Sequence, residues 1–204
     1  MNTLCGHPAA TTRRTQVLKA LVDAQGSVPA AIDLLDQQGV NTPRAVDERG
    51  TRAVLAAWAA SGAERKRLVM MSSIGVARKG SMPFPILNAC GVLDAKAAAE
   101  AAVKAEAAAA GFSYSIVRPG QLLGGPYDNN YYLGTLFQLD ADAATRDVKL
   151  AAGDTLLGDS LRSTVAEVIA TLLESGLSPP DFSVINAEGE PPSAEALRAR
   201  LAAL

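Results

Sequence analysis

The chain has 204 residues, enough for one α/β domain, with 49% hydrophobic residues, 20% charged residues and a net charge of −2. That balance supplies no general attraction for nucleic acid or anionic membrane, and 4% aromatics are few for base-stacking platforms. A single histidine, His7, and two distant cysteines, Cys5 and Cys90, argue against a histidine metal site, a Ser-His-Asp triad and a disulfide framework. Among the first 43 residues, "TQVLKALVDA" and "PAAIDLLDQQG" read as helices, and "NTLC" is the one stretch with strand character. Arg13, Arg14 and Lys19 precede the first acidic residue, Asp23. This fits an ordinary basic first helix, and it also echoes an organelle transit segment.

From Arg44 onward, helix and strand alternate. "VDERGTRAVLAAWAASG" predicts a helix that Asp47 can cap and Gly62 can end. "KRLVMMSS" (Lys66 to Ser73) is a continuous apolar run, expected to form a parallel strand buried on both faces. A loop rich in glycine and proline spans Ile74 to about Asn88. "GVLDAKAAAEAAVKAEAAAAG" predicts a long helix, its alanines allowing close approach to a sheet, and charges within it exclude a membrane span. "FSYSIVRPG" is the next strand and "DVKLAAGD" a short one. Thr164 and Glu167 form a capping-box pattern before "VAEVIATLLESG". "DFSVINAEGE" is the last strand, and Ser193 can cap a final helix. The alternation predicts an α/β fold, a Rossmann-like parallel sheet with flanking helices. In such sheets, ligands gather beyond the carboxyl ends of the strands.

Three stretches, "VDERGTRAVLAAWAASGAERKRLVMMSSIGV", "VLDAKAAAEAAVKAEAAAAGFSYSIVRPGQLLGG" and "GDTLLGDSLRSTVAEVIATLLES", resemble the atypical short-chain dehydrogenase/reductase family. The likeness is to its NmrA-like and plastid NAD(P)-binding members, and it covers about residues 44 to 190. It implies a Rossmann domain over 44–204, with 1–43 a shortened or divergent N-terminal segment. It also implies NADP(H) or NAD(H) as cofactor, unless binding has been lost. Ser72, Ser73, Arg118, Pro119, Gly120 and Gln121 would then line the nicotinamide side of a pocket. Lys96 matches the lysine of the family's Tyr-x-x-x-Lys pair, which lowers the tyrosine pKa for proton transfer.

The sequence departs from that pattern twice. Val92 stands four residues before Lys96, where the family has its tyrosine, so no catalytic residue is assigned. The strand–Gly-x-x-Gly-x-x-Gly–helix opening is also missing; Gly6, Ala9 and Thr12 occupy its spacings, and two Cβ atoms there would obstruct a pyrophosphate. The N-terminal part is therefore expected to be truncated or rebuilt. Tyr114 reads as core packing, while Tyr127, Tyr131 and Tyr132 lie beyond the Arg-Pro-Gly edge. Arg118 reads foremost as a structural ion-pair partner, Cys90 as an inert thiol and "ERKR" (Glu64 to Arg67) as a solvated loop.

These departures lead to an expected non-catalytic accessory, structural or assembly subunit, in complex with a protein partner and in an organelle, the chloroplast by resemblance. The alternative is an NAD(P)H-dependent reductase with a remodelled cofactor site. A third reading is a dinucleotide-responsive regulator. No metal site, nucleic-acid partner or membrane span is expected.

Overall fold

The computed structural model describes residues 10–124 and 145–204. Two helices, α1 (Ala10–Asp23) and α2 (Val28–Gln37), pair through Ala20, Ala31 and Leu35. Arg44–Arg49 forms a π-helical segment that runs directly into α3 (Gly50–Ala60). Asp47 is thus inside a helical run rather than capping one, and its carboxylate accepts from Lys96 Nζ instead. Ion pairs from Asp33 to Arg44 and from Asp36 to Arg49 fasten the α1–α2 pair to this segment.

The main sheet contains β1 (Arg67–Met71), β2 (Ser113–Pro119), β6 (Asp181–Ala187) and β4 (Asp147–Ala152), in that order. The first three run parallel, and β4 is an antiparallel edge. A second parallel pair, β3 (Gln121–Leu123) and β5 (Asp159–Leu161), continues past the end of β2. That pair was not foreseen: both strands are three residues long, too short for period-two alternation to register.

Helices cover both faces, as buried strands require. On one face α5 (Val92–Ala110) and α3 pack Val103, Ala107, Leu55 and Trp58 against Leu68, Met70 and Tyr114. Tyr114 is core packing, as expected. The alanines of α5 let it lie close, with Ala99 and Val103 fully buried. On the other face α6 (Arg162–Ser175) and α7 (Ala194–Ala202) pack Val165, Val168, Leu172, Leu197 and Leu201 against Val117, Val148, Phe182 and Val184. Ser193 caps α7, its hydroxyl accepting from Ala196 N.

Two expectations are corrected. No residue of β1 is fully buried, and Met71 is 49% exposed. Among the described residues no strand pairs with its outer edge, so the apolar run is covered incompletely. The Thr164–Glu167 capping box does not form either. Helix α6 starts earlier, at Arg162, and Thr164 Oγ1 accepts from Asn186 Nδ2. The "NTLC" stretch lies outside the described residues.

Gly120 shows how tightly the second strand pair is docked. Its amide donates to both Ser160 Oγ and Val184 O, and a Cβ there would fall on the Gly158 carbonyl. Gly120→Ala is expected to destabilise by about 1–3 kcal/mol through overpacking. Gly80→Ala, which meets open space, is expected to stay within about 0.5 kcal/mol of the parent. Urea-unfolding midpoints of the two variants check the contrast.

Candidate functional site

The carboxyl ends of β1 and β2 are fixed by a buried polar network. Arg118, near the end of β2, is 4% exposed. Its Nε and Nη2 donate to both oxygens of Glu100 on α5, at 2.9 and 2.8 Å. Its Nη1 donates to Asp181 at the start of β6, at 3.0 Å. Ser72, just past β1, donates to Glu100 at 2.6 Å, and Lys104 reaches Asp181. Burial alone would depress Arg118, but hydrogen bonding and charge from Glu100, then Asp181, outweigh it and hold the guanidinium above its ordinary range. Burial likewise works to raise Asp181, and the Arg118 charge and hydrogen bond override it, leaving the carboxyl below its usual range. Arg118 is therefore the structural ion-pair partner the sequence suggested.

Above these strand ends lies an open cleft of about 900 Å³. Ile74, Phe84, Leu87, Val92, Leu122 and Leu157 form its apolar walls. Ser73, Gly120 and Gln121 bring polar groups from the two strand ends, and Asp159 and Arg162 are the charged residues lining it. Ser73 donates to Ile74 O, whereas the Gln121 carboxamide makes no hydrogen bond among the described residues.

The wall carrying Ile74 is held by one carboxylate. Asp154, whose side chain is 1% exposed, accepts from Gly75 N at 2.9 Å, Ala77 N at 2.8 Å and Arg78 Nη2 at 2.9 Å. Gly75 has φ +88°, and any side chain there would strike the Phe84 ring. The short helix α4 (Phe84–Leu87) thereby sits down against the turn and places Phe84 and Leu87 in the wall.

Of the residues singled out from sequence, the structure gathers Ser73, Gly120 and Gln121 in the cleft. Val92 lines it too, at the position where the resemblance implies a tyrosine. Ser72 and Arg118 lie beneath, in the ion-pair network, and Pro119 holds the loop through its carbonyl, which accepts from Ile74 N. Lys96 is half-buried and bound to Asp47 at 2.9 Å. Cys90 is exposed. His7, Tyr127, Tyr131 and Tyr132 lie outside the described residues. Sequence reasoning missed Phe84, Leu87, Leu122, Leu157, Asp159 and Arg162. The Gly-Pro-rich loop was a signal for the first pair; nothing local marked the others.

A sheet with helices on both faces and a cleft at the carboxyl ends of its parallel strands defines a Rossmann-type nucleotide-binding protein of oxidoreductase-like architecture. A sequence model of the NAD(P)H-binding family matches residues 8–176, and the chain belongs to that family. This agrees with the resemblance to atypical short-chain dehydrogenase/reductases.

Solved structures show the same fold. The oxidoreductase YlbE from Lactococcus lactis aligns at 22% identity and TM-score 0.56, covering 81% of this chain and 63% of that one. A protein provisionally described as an NAD-dependent epimerase/dehydratase, from Bacillus halodurans, aligns at 23% identity and TM-score 0.53, covering 78% and 60%. ChuY from Escherichia coli O157:H7, described as an anaerobilin reductase, aligns at 18% identity and TM-score 0.51, covering 87% and 93%. The chain thus spans less than two thirds of the length of the first two. No curated protein gives a significant match. Among the described residues no helix is long and apolar enough to cross a membrane, and no cluster of potential metal ligands occurs.

The buried network sets two expectations. Arg118→Met leaves Glu100 buried without its counter-charge and is expected to cost about 3–5 kcal/mol. Arg118→Met combined with Glu100→Leu is expected to recover most of that loss, because the uncompensated charge leaves too. Chemical denaturation of the single and double variants measures both. Asp181 is pulled down on folding, so its stabilisation is present at neutral pH and lost as pH falls through its folded-state value. Asp181→Asn should therefore flatten the decline in stability below about pH 4, read as melting temperature against pH.

Proposed function

We propose that the protein binds NAD(P)H with the nicotinamide end in the cleft above β1 and β2 and reduces an apolar small molecule there. The cleft itself carries this reading. Its position past the strand carboxyl ends and its apolar walls with few convergent polar groups suit a ligand site. A purely structural subunit would have no need of such a cavity.

The residues present fit the nicotinamide end of the cofactor. Gln121 offers its carboxamide beside an apolar wall, and Ser73 lines the cleft from the end of the next strand. The pyrophosphate end has no glycine loop among the described residues. When bound, NAD(P)H supplies a hydride. Phe84, Leu87, Leu122 and Leu157 offer apolar surface for the nicotinamide and substrate to cover on binding. The Gln121 carboxamide is free to donate to an oxygen of the substrate. Val92 has no proton to give, and Lys96 is committed to Asp47. Among the described residues no tyrosine lines the cleft, and the proton that completes reduction is drawn from solvent through its open mouth.

A second reading is favoured by the uncovered outer edge of β1 with the groove beside it. Val46, Val54, Leu55, Leu68 and Met70 line that groove, and Val54 is 63% exposed. Such a surface suits an accessory subunit held by a protein partner. Recovery of the native protein only as a free monomer would count against that reading. A chloroplast location belongs with it, and organelle fractionation tests it.

For the reductase reading, NADPH at a hundredfold excess over its Kd should stabilise the protein by about 2.7 kcal/mol. Val92→Trp, which fills the cleft from its apolar wall, should weaken NADPH binding by about tenfold or more. Thermal unfolding with and without nucleotide checks both, and absence of stabilisation by any nicotinamide nucleotide would overturn the proposal.

A further inference from the structure

Arg162 opens α6 and lines the cleft beside Leu122, Leu157 and Asp159. One guanidinium nitrogen donates to the Gly124 carbonyl at 2.6 Å. Among the described residues no carboxylate forms an ion pair with it, although Asp159 stands three residues away on the same rim. Elsewhere in the fold, Arg44, Arg49, Arg65, Arg78, Arg118 and Arg200 are each paired with an acid. Arg67 spends its donors on carbonyls at the end of α6. Arg146 and Arg198 are exposed to water, whereas Arg162 is half-buried.

A guanidinium carries five N–H donors in a fixed fork, and among the described residues only one direction is used. Among the described residues this half-buried charge has no acidic partner, and its remaining donors are not sealed within the protein, so an anion entering the cleft can complete it. A planar anion such as a carboxylate matches the fork. The wall formed by Phe84, Leu87, Leu122 and Leu157 favours an apolar body.

We propose that the cleft takes an apolar organic acid, its anionic group received by Arg162 and its apolar body lying along Phe84, Leu87 and Leu122. This rests on reading the cleft as the ligand site, and it names the class of substrate. Arg162 acts by orientation: it fixes one end of the molecule, so that the apolar remainder extends toward Gly120 and Gln121, where the nicotinamide end is placed. NAD(P)H is itself anionic, and its phosphates would offer Arg162 the same chemistry; the test separates the two sources.

Two fluorescent probes of similar size differ in charge: 1-anilinonaphthalene-8-sulfonate is an anion and N-phenyl-1-naphthylamine is neutral. Each is titrated into the full chain without nucleotide. The anion is expected to bind about tenfold more tightly, the value of one charge-assisted contact. The preference should fall as salt rises. Arg162→Gln should abolish it while leaving the neutral probe unchanged, and Arg162→Lys should retain part of it. Leu87→Glu, on the exposed wall, should weaken the anion more than the neutral probe, placing the site in this cleft.

Equal affinities in the parent protein would overturn the proposal. So would an Arg162→Gln variant that keeps the preference, or one that loses NADPH affinity while binding the anion normally. Should Arg162→Gln fail to fold, the salt dependence and the Arg162→Lys ratio decide in its place. Absence of NADPH stabilisation alongside Arg162-dependent anion binding would sink the cofactor reading and leave this one standing.

Discussion

The Arg118–Glu100 ion pair is the contact on which the arrangement of this fold depends. It joins the end of β2 to the middle of α5, and both groups are almost wholly out of water. Two charges removed from solvent are costly unless each is fully engaged. Here each is: Arg118 also binds Asp181 on β6, and Glu100 also accepts from Ser72 beyond β1. Three parallel strands and their covering helix are thus locked in one register by a single polar cluster. Apolar packing alone would tolerate sliding of α5 along the sheet, because its alanines offer little shape. The network supplies the specificity that the alanine-rich interface lacks.

Fixing that register also fixes the cleft. Ser73 follows directly on Ser72, and Gly120 follows two residues after Arg118, so the cleft's polar floor hangs from the buried cluster. Ser160 Oγ then accepts from Gly120 N and donates to Val184 O, carrying the same constraint into β5. From β5 the chain leads into α6 within two residues, which places Arg162 on the rim. Asp154 does the equivalent for the opposite wall, where two backbone amides and Arg78 converge on one carboxylate. Both walls are therefore positioned by buried carboxylate contacts, and the cavity between them is preformed.

The sequence made the central architecture legible because its signals there are local. An alanine-rich run bounded by glycines, an apolar strand ending in Arg-Pro-Gly, and a serine before the last helix each act through neighbouring residues. The long-range facts were not legible. Nothing near Asp47 shows that it answers Lys96, 49 residues away. Nothing near Thr164 shows that the helix begins two residues before it, which rules out the capping box and leaves its hydroxyl to accept from Asn186. The exposure of β1 escaped notice for a related reason: an apolar run reports how a strand wishes to be covered, not whether a neighbour exists to cover it. For the cleft, the residues carried over by resemblance supplied the floor. The walls come from loop residues brought together only by the Asp154 clamp and the second strand pair.

The fate of Lys96 bears on chemistry as well as packing. In the arrangement that the resemblance implies, a lysine near a phenol lowers the phenol's pKa, and the pair works only if both are present. Here valine stands at the phenol's place, and Lys96 is not among the residues that line the cleft. Asp47 binds it at 2.9 Å, with both side chains largely covered. The π-helical run of Arg44–Arg49 presents Asp47 toward α5, and the same run is where the α1–α2 pair is anchored through Arg44 and Arg49. Lys96 ties α5 to the segment that anchors the N-terminal helices, and among the described residues no tyrosine lines the cleft. Its remaining charged groups, Asp159 and Arg162, stand at the rim, suited to orienting a ligand from outside the apolar space rather than to moving a proton within it.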